Sequence, residues 1–210
     1  MTRIDNLTNF LTDVATAIKN KTGKTDAITP SNFDTEIASI QSGGGDTTQE
    51  DGLIEGTITS YSNNRVTSVR EYTFSSYSTL TKIDLPKVIE IKRNGFTSCA
   101  GLKEANLPLL EVVRTYSFNG CSSLEKLDLP LLRLIDDAYC FRGTNLKTLI
   151  LRRNTRCILG NSNSLTSTPI ASKTGYIYVP DELVDSYKSA TNWSAYADQI
   201  KPISELEGNQ

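Results

Sequence analysis

Apolar residues recur along this chain at a fixed interval of 22 residues. Phenylalanine occupies three positions with this spacing and leucine four: Phe74, Phe96, Phe118, Leu80, Leu102, Leu124 and Leu146. A fixed interval of about 20–50 residues is typical of coils that stack and share one continuous core. The interval therefore predicts a stack of coils over residues 52–175, and it favours binding by surface rows of side chains over catalysis in a cleft.

Each coil ends in a short extended triplet, such as Ile83-Asp84-Leu85. Because alternate side chains of a strand point to opposite faces, we expect Ile83 and Leu85 inside and Asp84 outside. Stacked strands lie about 4.8 Å apart, so each side chain is expected to rest on its copy in the next coil. The fourth coil departs from the regular spacing, because Phe141 lies one position later than the interval predicts from Phe118.

Cysteines occur at equivalent positions of two coils, just after a phenylalanine: Cys99 and Cys121. A disulfide is one interpretation, because stacking would bring the two side chains close. The side chains would point in parallel, however, and both lie in the apolar register. We therefore expect buried free thiols that act as small core residues.

The composition argues against catalysis and against several classes of partner. The chain has no histidine and no CxxC pair, which excludes Ser-His-Asp and Cys-His nucleophiles and disfavours a zinc site. A net charge of -2 gives no electrostatic case for nucleic acid or a membrane surface. No apolar run approaches the roughly 18 residues of a membrane-spanning helix. We predict no catalytic residue, no metal and no cofactor.

Three cations and one acid are expected to form a surface row at the repeat interval: Arg70, Lys92, Arg114 and Asp136. Like charges stacked at the strand spacing repel one another, so an anionic partner such as an acidic cell-wall polymer would relieve the repulsion. The alternative is that neighbouring carboxylates neutralise the row: Glu71, Glu90 and Glu111.

The outward strand positions predict two further rows. One alternates in sign, which favours pairing within the row: Lys82, Glu104 and Lys126. The other is rich in carboxylate and amide groups, which can hydrogen-bond sugar hydroxyls: Asp84, Asn106 and Asp128. Calcium is not expected there, because the spacing lacks a calcium-loop pattern.

The repeat has the form L-x-x-I-x-L-P-x-V-x-x-I-x-x-x-x-F-x-x-C-x-x-L over about residues 53–151. This pattern resembles the BspA-like class of leucine-rich repeats. The resemblance implies a short solenoid of 22-residue coils followed by a C-terminal helical cap. With the helical segment expected at the N-terminus, the predicted fold class is α+β. Residues 176–210 would form the cap, with a strand at 176–179, a helix at about 180–189 and a short turn-helix after it.

Aromatic residues in the C-terminal segment allow two interpretations. Trp193, with Tyr187 and Tyr196, is either a sugar-stacking platform or an anchor that holds this segment on the last coil. The anchor is favoured, because the open end of a repeat stack needs a cover.

Residues 1–40 are expected to form helices that attach or oligomerise the chain. Five apolar residues alternate in steps of three and four, as in an a/d seam: Ile4, Leu7, Leu11, Val14 and Ile18. The seam either packs within its own chain or joins copies, since two heptads do not establish a coiled coil. Residues 41–51 include three consecutive glycines and are expected to form a flexible linker.

Residues 17–24 and 28–30 resemble the N-terminal segments of tail and baseplate proteins of phages that infect Gram-positive bacteria. The resemblance implies a non-enzymatic virion component, made in the host cytoplasm. It would bind a bacterial surface polysaccharide or protein and other tail or baseplate proteins, as a homo-oligomer such as a trimer.

The alternative is a bacterial cell-surface or prophage-derived adhesion module that binds host protein or glycan. The N-terminus shows no apolar signal region, which favours the phage hypothesis over a secreted adhesin. A polysaccharide depolymerase is disfavoured, since histidine and a convergent acidic pair are absent from the sequence.

Overall fold

The computed structural model describes residues 58–208. The helices predicted at 1–40, with their apolar seam, and the linker predicted at 41–51 lie outside the described residues. The division of the chain into those segments, a repeat domain at 52–175 and a closing segment at 176–210 therefore stays a prediction.

Short strands of two to four residues provide the regular structure of the coils. In chain order they are β1 (Ser60–Ser62), β2 (Ser68–Val69), β3 (Lys82–Asp84), β4 (Glu90–Ile91), β5 (Glu104–Asn106), β6 (Val112–Val113), β7 (Lys126–Leu129), β8 (Leu134–Ile135), β9 (Thr148–Leu151), β10 (Ile158–Leu159), β11 (Tyr176–Val179) and β12 (Ile200–Pro202). They form three sheets with the orders β1-β3-β5, β10-β8-β6-β4-β2 and β12-β11-β9-β7.

The strands pair in parallel, and the repeat interval sets their register. Val69 lies beside Ile91, Ile91 beside Val113 and Val113 beside Ile135. The stack continues past the last strict copy of the repeat, because β10 pairs with β8 at a spacing slightly longer than the interval. These pairings give a leucine-rich-repeat fold with parallel sheets and few helices.

A column of phenylalanine rings runs through the core. The ring centroids of Phe74 and Phe96 are 4.9 Å apart, those of Phe96 and Phe118 5.5 Å, and those of Phe118 and Phe141 5.6 Å. The planes are within 9° of parallel at each step. Phe141 thus keeps its place in the column despite the extra residue before it, and the predicted stacking of equivalent side chains is confirmed.

All four cysteines are buried and free, as the repeat register predicts for Cys99 and Cys121. Each of these two thiols donates to the carbonyl of a phenylalanine in the preceding coil: Cys99 Sγ to Phe74 at 2.8 Å and Cys121 Sγ to Phe96 at 3.1 Å. Burial raises the pKa of Cys140 to about 11 and that of Cys157 to about 12. The thiols therefore behave as small core residues.

The helices are short and most of them follow β11. A 3-10 helix spans Ser162–Leu165, another spans Asp181–Leu183 and leads into α1 (Val184–Ser189), a third spans Trp193–Gln199, and α2 covers Ile203–Glu207. The strand predicted at 176–179 is β11, and the helix predicted at about 180–189 is a 3-10 turn continued by α1. None of the helices in the described part is long and apolar enough to span a bilayer.

Side chains of this C-terminal segment satisfy backbone groups at and beside β10. The N–H of Cys157 donates to the Tyr187 hydroxyl and the Cys157 carbonyl accepts from Trp193 Nε1, both at 2.7 Å. The Asn192 amide donates to the Leu159 carbonyl at 2.8 Å. Trp193 and Tyr187 are fully buried, which agrees with the anchor interpretation and not with a sugar-stacking platform.

Candidate binding surface

The predicted row of cations forms where the second strand of each coil ends. Lys92, Arg114 and Asp136 directly follow β4, β6 and β8, and each donates its backbone N–H to the carbonyl of the preceding coil at 2.9–3.0 Å. Arg70 follows β2 and takes the first place in the same row. The four residues thus occupy equivalent positions in successive coils, as the repeat interval predicts.

The third cation of the row is already neutralised. Arg114 Nε lies 2.7 Å from Glu90 Oε1, and its Nη1 lies 2.9 Å from Asp136 Oδ2. The hydrogen bonds to Asp136 and Glu90 raise the pKa of the Arg114 guanidinium. The carboxylate of Glu111, expected beside the row, instead pairs with Arg133 at 2.9 Å.

The first two cations lack such partners. Among residues 58–208, neither Arg70 nor Lys92 forms an ion pair, and both side chains are exposed. We call Arg70 and Lys92 the basic pair. Of the acidic neighbours predicted by the sequence, only Glu90 pairs with a cation of the row, and together with Asp136 it neutralises Arg114. The positive charge stays on the basic pair.

Beside the basic pair the surface forms a shallow depression of about 410 Å³. Its lining mixes cations and carboxylates from successive coils: Glu71, Glu90, Lys92, Arg93, Arg114, Thr115 and Asp136. The carboxylates of Glu90 and Asp136 are held by Arg114. The charged lining groups without an ion pair in the described residues are Lys92, Arg93 and Glu71. Two positive charges and one negative charge leave a net charge of +1, which favours an anionic ligand over a cationic one.

The first two members of each row predicted on the outward strand positions pair with each other. Lys82 and Glu104 form an exposed ion pair at 2.9 Å, which raises the pKa of Lys82 and lowers that of Glu104. Asn106 donates to Asp84 at 2.7 Å. Pairs this exposed contribute little to stability.

These rows are also interrupted between β5 and β7. The two strands belong to separate sheets, so Lys126 and Asp128 do not continue the ladder of β1, β3 and β5. Asp128 instead accepts a two-pronged contact from Arg152, which also binds Glu207 at 2.8 Å. The structure therefore brings Asp84 and Asn106 together and places Asp128 in a different contact.

Carboxylates and thiols do not converge elsewhere in the part of the chain that the structure describes. No group of three or more His, Cys, Asp or Glu side chains there could hold a metal ion. The absence of a catalytic residue, a metal and a cofactor stays a prediction.

A second surface column was missed by the sequence analysis. It consists of one residue from the turn before each core phenylalanine: Tyr72, Asn94, Tyr116 and Tyr139. The rings of Tyr116 and Tyr139 stack at 5.4 Å, and the Arg142 guanidinium lies 5.1 Å from the centre of the Tyr139 ring. The nearly constant spacing of these residues was the available signal, but an asparagine interrupts the tyrosines.

Comparison with known proteins identifies the repeat. The sequence profile of the BspA type leucine rich repeat region, with six copies, matches residues 57–171. The match extends past residue 151, where the pattern read from the sequence ends, over the coil that contains β10. No curated protein matches the chain significantly.

Two solved structures are similar to this chain. One is a leucine-rich repeat protein from Bacteroides ovatus ATCC 8483, with 22% identity and a TM-score of 0.43 over 54% of this chain and 28% of that one. The other is the pneumococcal vaccine antigen PcpA, with 18% identity and a TM-score of 0.45 over 70% of this chain and 40% of that one. The similarity spans less than half the length of either protein.

The repeat profile covers more than half of the chain, and its limits agree with the stacked coils of the structure. The chain belongs to the BspA-type leucine-rich repeat family.

Proposed function

We propose that the repeat domain is a non-enzymatic binding module that holds an anionic polymer of a bacterial surface against the basic pair, Arg70 and Lys92. The observation that carries the proposal is the uneven charge of the row. Arg114 is neutralised by two carboxylates, whereas the basic pair has no ion-pair partner among residues 58–208. Two like charges about 5 Å apart repel by about 1 kcal/mol in water. A polymer with repeated negative charges removes this repulsion.

The carboxylates of the depression support binding over catalysis. Glu90 and Asp136 both contact the same guanidinium, so neither carboxylate is free to act as a general acid. With no histidine in the chain, the usual proton-transfer group is missing as well. We therefore propose a module that acts by adhesion, in which the repeats form a solenoid and residues 176–210 serve as its cap.

The finer proposal is that the module belongs to a phage tail or baseplate, as a virion component that attaches through residues 1–40. Its support is the resemblance of residues 17–24 and 28–30 to such proteins. The alternative, an adhesion module of a bacterial surface, uses the same binding surface for host protein or glycan.

Charge reversal tests the binding proposal. The double variant Arg70→Glu/Lys92→Glu is compared with Lys103→Glu/Lys188→Glu, which changes the net charge equally at two exposed lysines elsewhere. Binding of purified wall teichoic acid and teichuronic acid to the full chain is measured by isothermal titration calorimetry. We expect the first variant to bind at least about tenfold more weakly and the control to bind like the wild type. Equal affinities of the two variants would refute the proposal that the basic pair forms the binding surface.

Self-association through the apolar seam is tested separately in the full chain. Leu7→Glu/Leu11→Glu introduces two charges into the seam, and Thr8→Glu/Thr12→Glu is a control that introduces the same two charges beside it. If the seam joins copies, light scattering will show a fall in mass for the first variant alone. An unchanged mass would leave the seam as a contact within one chain.

A further inference from the structure

The turn before each core phenylalanine repeats the same backbone conformation. Tyr72, Asn94, Tyr116 and Tyr139 have φ angles of 60°, 57°, 60° and 66°, a left-handed region that residues other than glycine seldom occupy. The turns are joined by hydrogen bonds, from the Tyr72 N–H to the Arg93 carbonyl at 3.3 Å and from the Asn94 N–H to the Thr115 carbonyl at 3.1 Å. Equivalent side chains of adjacent coils therefore start from equivalent, fixed positions.

One end of this column is closed and the other is open. Tyr139 is stacked against Tyr116 and covered by Arg142. In the described residues no further ring stacks on Tyr116, and the next coil presents only Asn94. Tyr72 lies one coil beyond Asn94 and is 55% exposed. A short side chain thus lies between two tyrosines.

The gap between the two tyrosines can be estimated from the core beneath them. The phenylalanine rings of these coils step by 4.9 and 5.5 Å per coil, so the coils of Tyr72 and Tyr116 are roughly 10 Å apart. A flat aromatic ring between two others needs only about 7 Å, twice the carbon contact distance of about 3.5 Å. A puckered pyranose, with hydrogens projecting from both faces, needs about 8–9 Å at the same contact distances. A coil spacing of this size is enough for a pyranose ring above the short Asn94 side chain.

We propose that Tyr72, Asn94 and Tyr116 form a slot for one pyranose ring of an acidic glycan, whose carboxylate lies against Lys92 and Arg93. The inference rests on the proposed binding of an anionic polymer and names its chemical class. The apolar C–H faces of the sugar would contact the two tyrosine rings. The Asn94 carboxamide, which has no hydrogen-bond partner among residues 58–208, would bind a ring hydroxyl.

The charge beside the slot sets the preference for an acidic sugar. Lys92 and Arg93 immediately precede Asn94, and both line the depression next to it together with Thr115. Both side chains are exposed, and neither forms an ion pair within the described residues. The Glu71 carboxylate, which also lines the depression, offsets only one of these two charges. An anionic substituent on the bound ring would meet these cations, whereas a neutral sugar would leave them unpaired.

The test compares three probes on the full chain by isothermal titration calorimetry. They are a short oligomer of glucuronic acid, the same oligomer with its carboxylates reduced to alcohols, and inorganic polyphosphate as a polyanion without a sugar. We expect the wild type to bind the acidic oligomer at least about tenfold more tightly than the reduced form. Tyr72→Ala and Tyr116→Ala should weaken the acidic oligomer at least about tenfold and leave polyphosphate unchanged.

Tyr176→Ala is the matched control, because Tyr176 is also an exposed tyrosine, at 40%, but lies on β11. The Tyr72 variant decides the outcome, since removal of so exposed a ring should leave the melting temperature intact. If the tyrosine variants bind the acidic oligomer like the wild type, the slot is refuted. If the wild type binds teichoic acid but not the oligomer, the acidic sugar is refuted and the proposed function stands. If no anionic polymer binds to the wild type, both the sugar slot and the proposed function are refuted.

Discussion

Replacement of Phe96 by alanine should cost more stability than almost any other single truncation in the repeats. Phe96 is 0% exposed and lies between Phe74 at 4.9 Å and Phe118 at 5.5 Å. Truncation of a buried phenylalanine to alanine costs about 3–5 kcal/mol, and the two ring contacts account for about 1–3 kcal/mol of that total. We expect this loss in the free energy of unfolding, measured by urea denaturation with circular dichroism.

The same column provides an internal control. In double-mutant cycles built from Phe→Leu substitutions, which leave most of the apolar volume, Phe96 and Phe118 should couple by about 0.5–1.5 kcal/mol. Phe74 and Phe118, separated by Phe96, should couple by less than about 0.5 kcal/mol. Tyr72→Ala, at an exposed ring, should change stability by no more than about 0.5 kcal/mol. A Phe96→Ala cost below about 1 kcal/mol, or equal coupling of both pairs, would refute the stacked column.

Three other predictions follow from buried polar groups. The thiols should resist maleimide near pH 8 in the native protein and react after unfolding, because burial raises the pKa of Cys140 to about 11 and of Cys157 to about 12. The unfolded chain loses these protons first as the pH rises, so the free energy of unfolding should fall between about pH 9 and pH 11. The fall should be smaller in the double variant Cys140→Ala/Cys157→Ala, which lacks both thiols. A free energy of unfolding that stays constant over that pH range would contradict the burial of the two thiols. Tyr187→Phe leaves the buried Cys157 N–H without its acceptor and should lower the free energy of unfolding in urea by about 1–3 kcal/mol. An unchanged free energy of unfolding would argue against this hydrogen bond.

The repeat interval was enough to predict much of the core. It sets the parallel register directly, since a residue and its copy in the next coil are strand neighbours. It also predicts the phenylalanine column and the burial of the thiols. The extra residue before Phe141 leaves the column intact, because the turn absorbs it and the ring still stacks on Phe118.

The coil after residue 151 was harder to predict from the interval. Its strand β10 pairs with β8 at a longer spacing than the other strands of that sheet, and Phe141 has no phenylalanine copy in the next coil. The sequence also carried no sign that β5 and β7 belong to different sheets, because Glu104 and Lys126 occupy equivalent positions in segments of similar pattern. A period reports which residues are equivalent, but not where the hydrogen bonds between equivalent strands break.

The binding surface was predictable only in part. The order of Arg70, Lys92 and Arg114 follows from the period, whereas the pairing of Arg114 with Glu90 depends on side-chain direction between neighbouring coils. The tyrosine slot depends on left-handed turns that Tyr and Asn do not specify by residue type. Whether such a row is neutralised or free is a question of geometry that the spacing alone does not answer.

The salt dependence of polymer binding tests the central claim most directly. Teichuronic acid is titrated into the wild type and into Arg70→Glu/Lys92→Glu over a range of salt concentrations. If the basic pair contacts the polymer, the plot of log affinity against log salt should be steeper for the wild type than for the variant, because each lost charge contact removes part of the salt dependence. Equal slopes, or a wild-type affinity that does not change with salt, would contradict the account.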